Sequence, residues 1–175
     1  MREKSIKIGN KILKNFGKPF ITAEVGVNHN GSLKKALKMV DVAKESGCDA
    51  VKFQTFKANE IVQDKNLKFT YISKKKRITE RMDKMFKRYE LKSDHWKIIK
   101  EYCRKKKIIF FSTPQNLSDF EILKKLNVPA IKVGSDDFVN VNLITKLLNY
   151  NKPVILSTGM ATENDFDNIL KIRGI

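Results

Sequence analysis

Short apolar runs alternate with amphipathic stretches along most of the chain. The runs are rich in Val, Ile and Phe and end at turn or cap residues, a pattern typical of buried strands. They predict strands at residues 20–28, 50–56, 108–114, 130–135 and 153–159. Each run is followed by apolar residues at helical spacing, so the sequence predicts five strand–helix units in strict alternation.

Cap residues support the predicted helices. Ser32 and Ser93 precede two of the helical stretches, and Ser118 with Glu121 has the spacing of a capping box. Asn127 suits the end of a helix because Asn tolerates a left-handed backbone. Strict alternation favours a parallel sheet, since each parallel connection needs a crossover helix. The periodicity leaves two α/β architectures open, a closed (β/α)8 barrel of TIM type and an open doubly wound sheet.

Residues 57–92 interrupt the even spacing of strands and helices. The stretch is too long for a plain loop and contains the aromatic residues Phe69 and Tyr71. We expect it to form a functional excursion on the face of the sheet where the strands end.

Several predicted strands carry polar residues where a buried strand should be apolar. Lys52 and Gln54 share a face with Ala50, because side chains alternate along a strand. Lys132 lies between two aliphatic residues of another strand. A buried lysine without a partner is costly, so we expect each lysine to face an anion or a wet cavity.

The remaining strands add further polar residues near their carboxyl ends. These residues are Glu24, Thr113, Ser135 and Ser157. Parallel α/β proteins build their sites at this edge, so the set predicts a pocket for a small phosphorylated or carboxylated anion. Glu24 is a candidate general acid or base. Two plainer interpretations stay open: Lys52 can belong to an exposed edge strand, and Glu24 with Lys52 can form a structural ion pair.

The two histidines have less defined roles. His29 lies in the turn sequence NHNG after the first predicted strand, where a turn role and a catalytic role both remain open. His95 lies on a predicted helix beside Trp96, and we expect a structural or surface role. The sequence has no pair of histidines at metal-ligand spacing and no dinucleotide or P-loop motif.

The net charge of +17 changes this picture little. A strongly basic domain is a candidate for nucleic-acid binding, but here the lysines are spread over nearly every predicted helix, which favours solvated helix faces. The densest basic block is residues 74–77, followed by Arg81, Lys84, Lys87 and Arg88.

The cysteines and the apolar runs indicate the cellular compartment of the protein. Cys48 and Cys103 lie far apart and outside any CxxC spacing, which favours reduced core thiols in a cytoplasm. No apolar run approaches the roughly 20 residues needed to span a membrane. The first residues mix apolar side chains with lysines, unlike a signal peptide.

Five motifs in order resemble those of the N-acetylneuraminate (sialic acid) synthase family, which includes synthases for legionaminic and pseudaminic acids. They are AEVGVNHNG, AVKFQTF, FFSTP, IKVGSDD and KPVILSTGMAT. The resemblance runs from about residue 20 to the end, and residues 1–19 resemble the hairpin that precedes the family's barrel. It implies a (β/α)8 barrel, a phosphoenolpyruvate pocket, a divalent metal (Mn or Mg), and a C-terminal antifreeze-like domain that reaches the partner subunit of a homodimer.

The resemblance also implies residue roles. The positions that match phosphoenolpyruvate-binding positions of the family are Lys52, Thr113, Lys132, Ser135 and Ser157. Glu24 matches a carboxylate near the reacting carbonyl, and Gln54 is a neighbour of the site. Asp137 falls where many members have a glutamate that contacts the sugar, so its shorter side chain is a departure from the pattern.

The implied reaction joins phosphoenolpyruvate to an N-acetylated amino-sugar aldehyde, giving a nine-carbon 2-keto acid and phosphate. A full barrel needs about 250 residues. We therefore expect residues 20–175 to be about the first five βα units, without the family's metal ligands and C-terminal domain. We expect a fragment or one half of a split enzyme, inactive alone. A non-catalytic remnant and a basic polyanion-binding protein stay open as alternatives.

Overall fold

Strands and helices alternate in the computed structural model, which describes residues 5–172. The strands are β1 (Ser5–Ile8), β2 (Lys11–Lys14), β3 (Thr22–Gly26), β4 (Ala50–Thr55), β5 (Lys68–Ser73), β6 (Lys76–Arg81), β7 (Ile109–Pro114), β8 (Ile131–Val133) and β9 (Val154–Leu156). The helices are α1 (Leu33–Glu45), α2 (Ala58–Ile61), α3 (Met82–Tyr89), α4 (Ser93–Lys105), α5 (Leu117–Lys125), α6 (Val141–Leu148) and α7 (Glu163–Lys171).

Five strands form one parallel sheet in the order β3-β4-β7-β8-β9. The order follows the chain without reversal, and the long helices cover one face through a single large core. A doubly wound sheet would reverse its strand order and carry helices on both faces. The fold is therefore α/β, with five βα units of a TIM-type (β/α) barrel, which decides between the two architectures that periodicity left open.

The strand register separates the two faces of this sheet. Lys52 is paired with Glu24 on one side and with Phe111 on the other, so these three residues face the same way. Val51 and Phe53 face the opposite way, into the core beneath the helices. The alternation predicted for β4 is therefore confirmed. Because β4 lies between β3 and β7, the interpretation of Lys52 as an edge-strand residue is wrong.

The β1–β2 hairpin closes the amino-terminal end of the inner face. Ile8 is 3% exposed and packs with Ala50, Phe111 and Ala130 of three neighbouring strands or strand entries. The turn of the hairpin approaches Ile109, the first residue of β7. The hairpin expected for residues 1–19 thus spans residues 5–14, and residues 1–4 lie outside the described part.

The excursion between β4 and α4 folds into α2, an antiparallel β5–β6 hairpin and α3. Glu80 of the hairpin accepts hydrogen bonds from the Tyr71 hydroxyl (2.7 Å) and from the Arg88 guanidinium of α3 (2.8 and 2.6 Å). The carbonyl of Arg88 in turn lies against Gly31, in the loop after β3. The excursion lies beside the strand ends as expected, because it packs on the loop that follows β3, and its functional role stays a prediction.

The predicted helix boundaries are right at two places and wrong at two. Ser32 caps α1 and accepts from the Lys35 amide, and Asn127 has a positive φ of 48° just after α5. Ser93 is the first residue of α4 rather than its cap. Ser118 lies inside α5, which begins directly after Asn116, and its hydroxyl donates to Glu60 of α2 instead.

Candidate functional site

Glu24 and Lys52 form an ion pair at the carboxyl end of the inner face. Lys52 Nζ lies 3.2 Å from Glu24 Oε1, and the two residues are register partners on β3 and β4. The Lys52 side chain is 10% exposed whereas the Glu24 side chain is 58% exposed. The ion pair expected as the plainer interpretation is therefore present, but a mostly hydrated carboxylate neutralises a buried ammonium only in part.

Lys132 supplies a second ammonium group from β8. Its Nζ donates to the carbonyl of Val133 (2.6 Å) and to the hydroxyl of Ser157, which follows β9. Burial lowers the pKa of Lys132, and the charge of Lys52 lowers it further, while Glu24 and Asp136 raise it. The inner face thus gathers two cations close enough to repel one another, an arrangement that an anion would stabilise.

Thr113 lies on β7, the strand between those of the two lysines, and Gln54 follows Lys52 on β4. They are register partners on β7 and β4 and face the same side as Lys52. Thr113 is 2% exposed, and its hydroxyl has no hydrogen-bond partner among residues 5–172. A buried hydroxyl without a partner is costly in an empty site and available to a ligand.

Ser135 and Asp137 follow β8 and are half-buried. The Ser135 hydroxyl oxygen lies 4.0 Å from the position that a Cβ atom would occupy at Gly159. Asp137 accepts a long hydrogen bond of 3.5 Å from the Asn140 side chain, and burial together with Asp136 raises its pKa. The structure therefore brings Glu24 into contact with Lys52, and Lys132 into contact with Ser157. The two pairs act on one another through charge, because Lys52 and Glu24 both shift the pKa of Lys132, whereas Asp137 is bonded to Asn140 instead.

Sequence reasoning missed Asp136. Its carboxylate folds back over Gly134, in the space that a side chain there would occupy, and it raises the pKa of Lys132. The only sequence signal was an acidic doublet directly after a strand that carries a lysine. Periodicity could not show that the carboxylate turns back toward that strand.

The structure favours the turn role for His29. The side chain is 1% exposed, its Nδ1 accepts from the Gly31 amide (3.1 Å), and its ring stacks on Phe53 on the helix-covered side of the sheet. Burial lowers the pKa of His29 to about 4, so the imidazole is neutral at physiological pH. His95 lies half-buried in the first turn of α4.

Part of the basic block is paired within the protein. Arg81 binds Asp83, Lys87 binds Glu90 and Arg88 binds Glu80. These cations hold α3 and the β5–β6 hairpin in place, which weakens the interpretation of the whole block as a polyanion-binding surface. The exposed residues 74–77 at the hairpin tip are the part that remains for such a role.

Metal-ligand clusters, disulfide bonds and membrane-spanning helices are absent from the described residues 5–172. No group of three or more His, Cys, Asp or Glu side chains there could hold a metal ion. Cys48 and Cys103 are both free thiols. No helix in the same part of the chain has the length and apolar character needed to cross a bilayer.

Known proteins with similar sequences include sugar-acid synthases. The chain is 36% identical to the N,N'-diacetyllegionaminic acid synthase of Campylobacter jejuni, over 89% of this chain and 46% of that protein. It is 33% identical to the N-acetylneuraminate-9-phosphate synthase of Drosophila melanogaster, over 87% and 41% of the two chains. The chain thus spans about half the length of the curated relatives it matches.

Solved structures agree with this assignment. The crystal structure of N-acetylneuraminic acid synthetase from Leptospira borgpetersenii, in complex with citrate, superposes with a TM-score of 0.83 at 29% identity, over 97% of this chain and 55% of that one. A phospho-2-dehydro-3-deoxyheptonate aldolase from Thermotoga maritima, 16% identical with a TM-score of 0.67, shares the fold. The family model for the NeuB family matches residues 39–173, and the chain belongs to this family.

Proposed function

We propose that this chain forms the phosphoenolpyruvate-binding part of a sialic-acid-type synthase, which joins phosphoenolpyruvate to an N-acetylated amino-sugar aldehyde. The observation that carries the proposal is the pair of ammonium groups on β4 and β8, Lys52 and Lys132, which repel one another, with Lys132 bonded to Ser157 directly after β9. The motifs that hold these residues are the ones that resemble the synthase family.

The two ammonium groups are suited to a substrate with a phosphate and a carboxylate. Lys132 is already oriented by Val133 and Ser157, so binding needs little reordering of its side chain. Thr113 offers a buried hydroxyl without a hydrogen-bond partner within residues 5–172, and Gln54 lies beside it. The bound anion would raise the pKa of Lys132 back toward its ordinary value, because an opposite charge favours the charged ammonium.

The proposed reaction forms one carbon–carbon bond, forms one carbon–oxygen bond from water and breaks one carbon–oxygen bond to phosphate. C3 of phosphoenolpyruvate attacks the aldehyde carbon, and the aldehyde oxygen takes up a proton to become a hydroxyl. Water then adds at C2, losing one proton, and the tetrahedral intermediate releases inorganic phosphate to leave the 2-keto acid. Lys52 and Lys132 stabilise negative charge on the leaving phosphate and hold the reactants in register.

Glu24 is the residue that we assign to proton transfer at the aldehyde oxygen. Its carboxylate is 58% exposed on the open side of the inner face, while its contact with Lys52 fixes its direction. Asp137 is assigned to the sugar, whose hydroxyl groups its carboxylate can accept from. Asp137 is one methylene shorter than glutamate, so this contact needs either a water molecule or a closer substrate.

A divalent metal remains part of the proposal through the family resemblance alone. The described residues 5–172 do not form a metal site, so we assign no step of the mechanism to a metal. The homodimer and the C-terminal domain implied by the resemblance are likewise proposals about the whole protein, since this chain matches less than half of its curated relatives' length.

Calorimetric titration with phosphoenolpyruvate tests the binding site directly. We expect saturable binding to this chain, weakened at least about tenfold, or ~1.4 kcal/mol, by Lys132→Ala. Lys105→Ala, on the exposed side of α4, is the matched control and should bind like the unaltered chain. No binding by a folded unaltered chain, or equal binding by Lys132→Ala, would remove the basis of the proposal.

Phosphate release tests the reaction. The assay contains phosphoenolpyruvate, manganese and a panel of N-acetylated amino sugars, with this chain alone and then with a polypeptide that supplies the remaining barrel strands. Activity that appears only in the mixture and disappears with Lys132→Ala supports the synthase. Silence in both, from chains shown to be folded, leaves the non-catalytic remnant as the better description. Salt-sensitive RNA binding lost on neutralising residues 74–77 would favour the polyanion-binding alternative.

A further inference from the structure

A fully buried carboxyl group lies outside the anion site, in the first turn of α5. The Asp119 side chain belongs to a residue with 0% exposure. Neither of its oxygens has a well-formed hydrogen bond among residues 5–172. An ionised carboxylate without partners is among the costliest groups to bury, so the charge state of Asp119 needs a physical explanation.

Asp119 lies at the contact between two strand-to-helix connections. Glu60 of α2 reaches the start of α5, where it accepts from the hydroxyl of Ser118, and it also accepts from Lys57 (2.9 Å). Glu90, ahead of α4, holds α2 from the other side by accepting from the Ala58 amide (3.0 Å). The position of α2 therefore depends on carboxyl groups.

The electrostatic environment favours a neutral Asp119. Burial raises its pKa to about 7, and the charge of Glu60 adds to the increase, whereas Lys57 and the amides of Asn116 lower it. The pKa of Glu60 is lowered by Ser118 and Lys57, so Glu60 stays ionised. Below about pH 7 the two neighbouring carboxyl groups therefore share one proton, which resides on Asp119, and above it both become ionised.

A proton suits this position better than a metal ion does. The positive end of the α5 dipole and the ammonium of Lys57 both disfavour a cation beside Asp119. The remaining charged groups around α2 are Glu90 and Lys87, which bind one another at 3.0 Å.

We propose that the proton on Asp119 is a latch that holds α2 against the start of α5, and that its loss leaves two adjacent carboxylates and releases α2. The released segment follows β4 directly, at the rim where Lys52 and Gln54 lie. The latch involves none of the anion-binding residues, so it holds whether or not the proposed synthase reaction does.

Amide hydrogen exchange measured between about pH 6 and pH 8.5 tests the latch in the unaltered chain. The amides to follow are those of Ala58, Ile61 and Val62, which are bonded to Glu90, Lys57 and Ala58. After correction for intrinsic rates, we expect their protection to fall at least about tenfold across this range. In Asp119→Asn, which cannot ionise, the fall should be less than about twofold.

Asp165→Asn is the matched control. Asp165 occupies the same third position of α7 that Asp119 occupies in α5, but it is only half-buried and its pKa is lowered by the cap bonds to Thr162. This variant should leave the exchange of α2 unchanged. The melting temperature, measured as a function of pH, independently tests the sign of the pH dependence of stability. Because folding raises the pKa of Asp119 above its ordinary value of 3.8, stability falls as pH rises toward 7, and this fall should vanish in Asp119→Asn.

Carbon NMR of the Asp119 carboxyl group decides the outcome. If the Asp119 carboxyl group titrates below about pH 5, the latch is overturned. The latch is also overturned if Asp119 titrates near pH 7 but the amide exchange of α2 does not change with pH. If Asp119→Asn does not fold, Glu60→Gln replaces it. Removing the neighbouring charge should shift the midpoint of the exchange transition downward, and an unchanged midpoint would contradict the proposal.

Discussion

The protein carries one hairpin at each end of its parallel sheet, and the two are held by opposite means. The β1–β2 hairpin places Ile8 into the inner face, where it is 3% exposed among Ala50, Phe111 and Ala130. The β5–β6 hairpin keeps Ile72 at 79% exposure and contacts α3 through polar groups instead. Apolar burial closes the amino-terminal end of the strands, while the carboxyl-terminal end stays open to ligands.

The two ends of the sheet are therefore stabilised by different kinds of interaction. An isolated two-stranded hairpin is marginal in water, so each hairpin depends on its anchor. At the closed end the anchor is the core itself. At the open end it is a short chain of contacts from Tyr71 through Glu80 to Arg88, and from Arg88 to Gly31. Changes at the two ends should therefore differ in size and in pH dependence.

Truncating the apolar anchor should have the largest effect. Ile8→Ala leaves a cavity in the inner face and should lower the free energy of unfolding by about 3 kcal/mol. Ile12→Ala, at a 63% exposed position of the same hairpin, should change it by less than about 0.5 kcal/mol. Urea unfolding of both variants measures the contrast. Equal effects would mean that the hairpin does not close the sheet.

Disturbing the polar anchor should come next. Gly31 has φ +72°, and a side chain there would collide with the Arg88 carbonyl, whereas Gly47 has φ +78° with open space around it. Both alanine variants carry the cost of a left-handed backbone, about 1 kcal/mol, and Gly31→Ala should lose about 1 kcal/mol more from the collision. Thermal unfolding of the pair isolates that collision, and equal losses would contradict the packing of α3 on the loop after β3.

The ion pair of the open end should depend on pH. Arg88 and then Tyr71 lower the pKa of Glu80 to about 2. The stabilisation that ionised Glu80 provides through its pair with Arg88 is therefore present above the ordinary pKa of 4.5 and is lost as pH falls toward 2. Glu80→Gln should cost about 1 kcal/mol at neutral pH and progressively less in acid. Glu101→Gln, at an exposed pair with Arg104, serves as the control in pH-dependent urea unfolding and should show a smaller cost.

Relieving the hairpin turn should have the smallest effect. Lys74 and Lys75 both have positive φ, 48° and 63°, which favours Asn and Gly at these positions. Lys74→Asn with Lys75→Gly should add about 0.5 kcal/mol of stability. Replacing both lysines by glutamine removes the same charges and keeps the unfavourable backbone. A gain in this control equal to that of the first variant would assign the effect to charge.

The five strands of the parallel sheet could be predicted because they follow local periodicity, whereas the elements of residues 57–92 could not. The alternation in β4 and the polar strand ends are as predicted. Periodicity does not contain strand order, so the choice of a barrel needed the pairing of β3 through β9. Helix starts at Ser93 and Ser118 were wrong because cap propensity ignores tertiary partners, and Ser118 is engaged by Glu60.

The candidate site could be predicted in composition but not in contacts. Family motifs pointed to Lys52 and Lys132, yet only the fold shows that Ser157 orients Lys132 and that Asp136 turns back toward it. Asp119 gave no signal at all, since an aspartate in a first helical turn is ordinary. Its neighbour Ser118 is bonded to Glu60 of α2, which lies far from Asp119 in the chain, and local sequence does not contain such a contact.

The seam between β7 and β8 has a consequence for ligand binding. These strands are registered at Ser112 and Ile131 only, whereas β4 and β7 are paired along six residues. Lys52 lies on one side of the seam and Lys132 on the other. An anion held by both lysines would bridge the seam, and because the unfolded chain lacks that pairing, occupancy would favour the joined sheet by mass action. A bound anion would then stabilise the β7–β8 pairing, which has the fewest paired residues in the sheet.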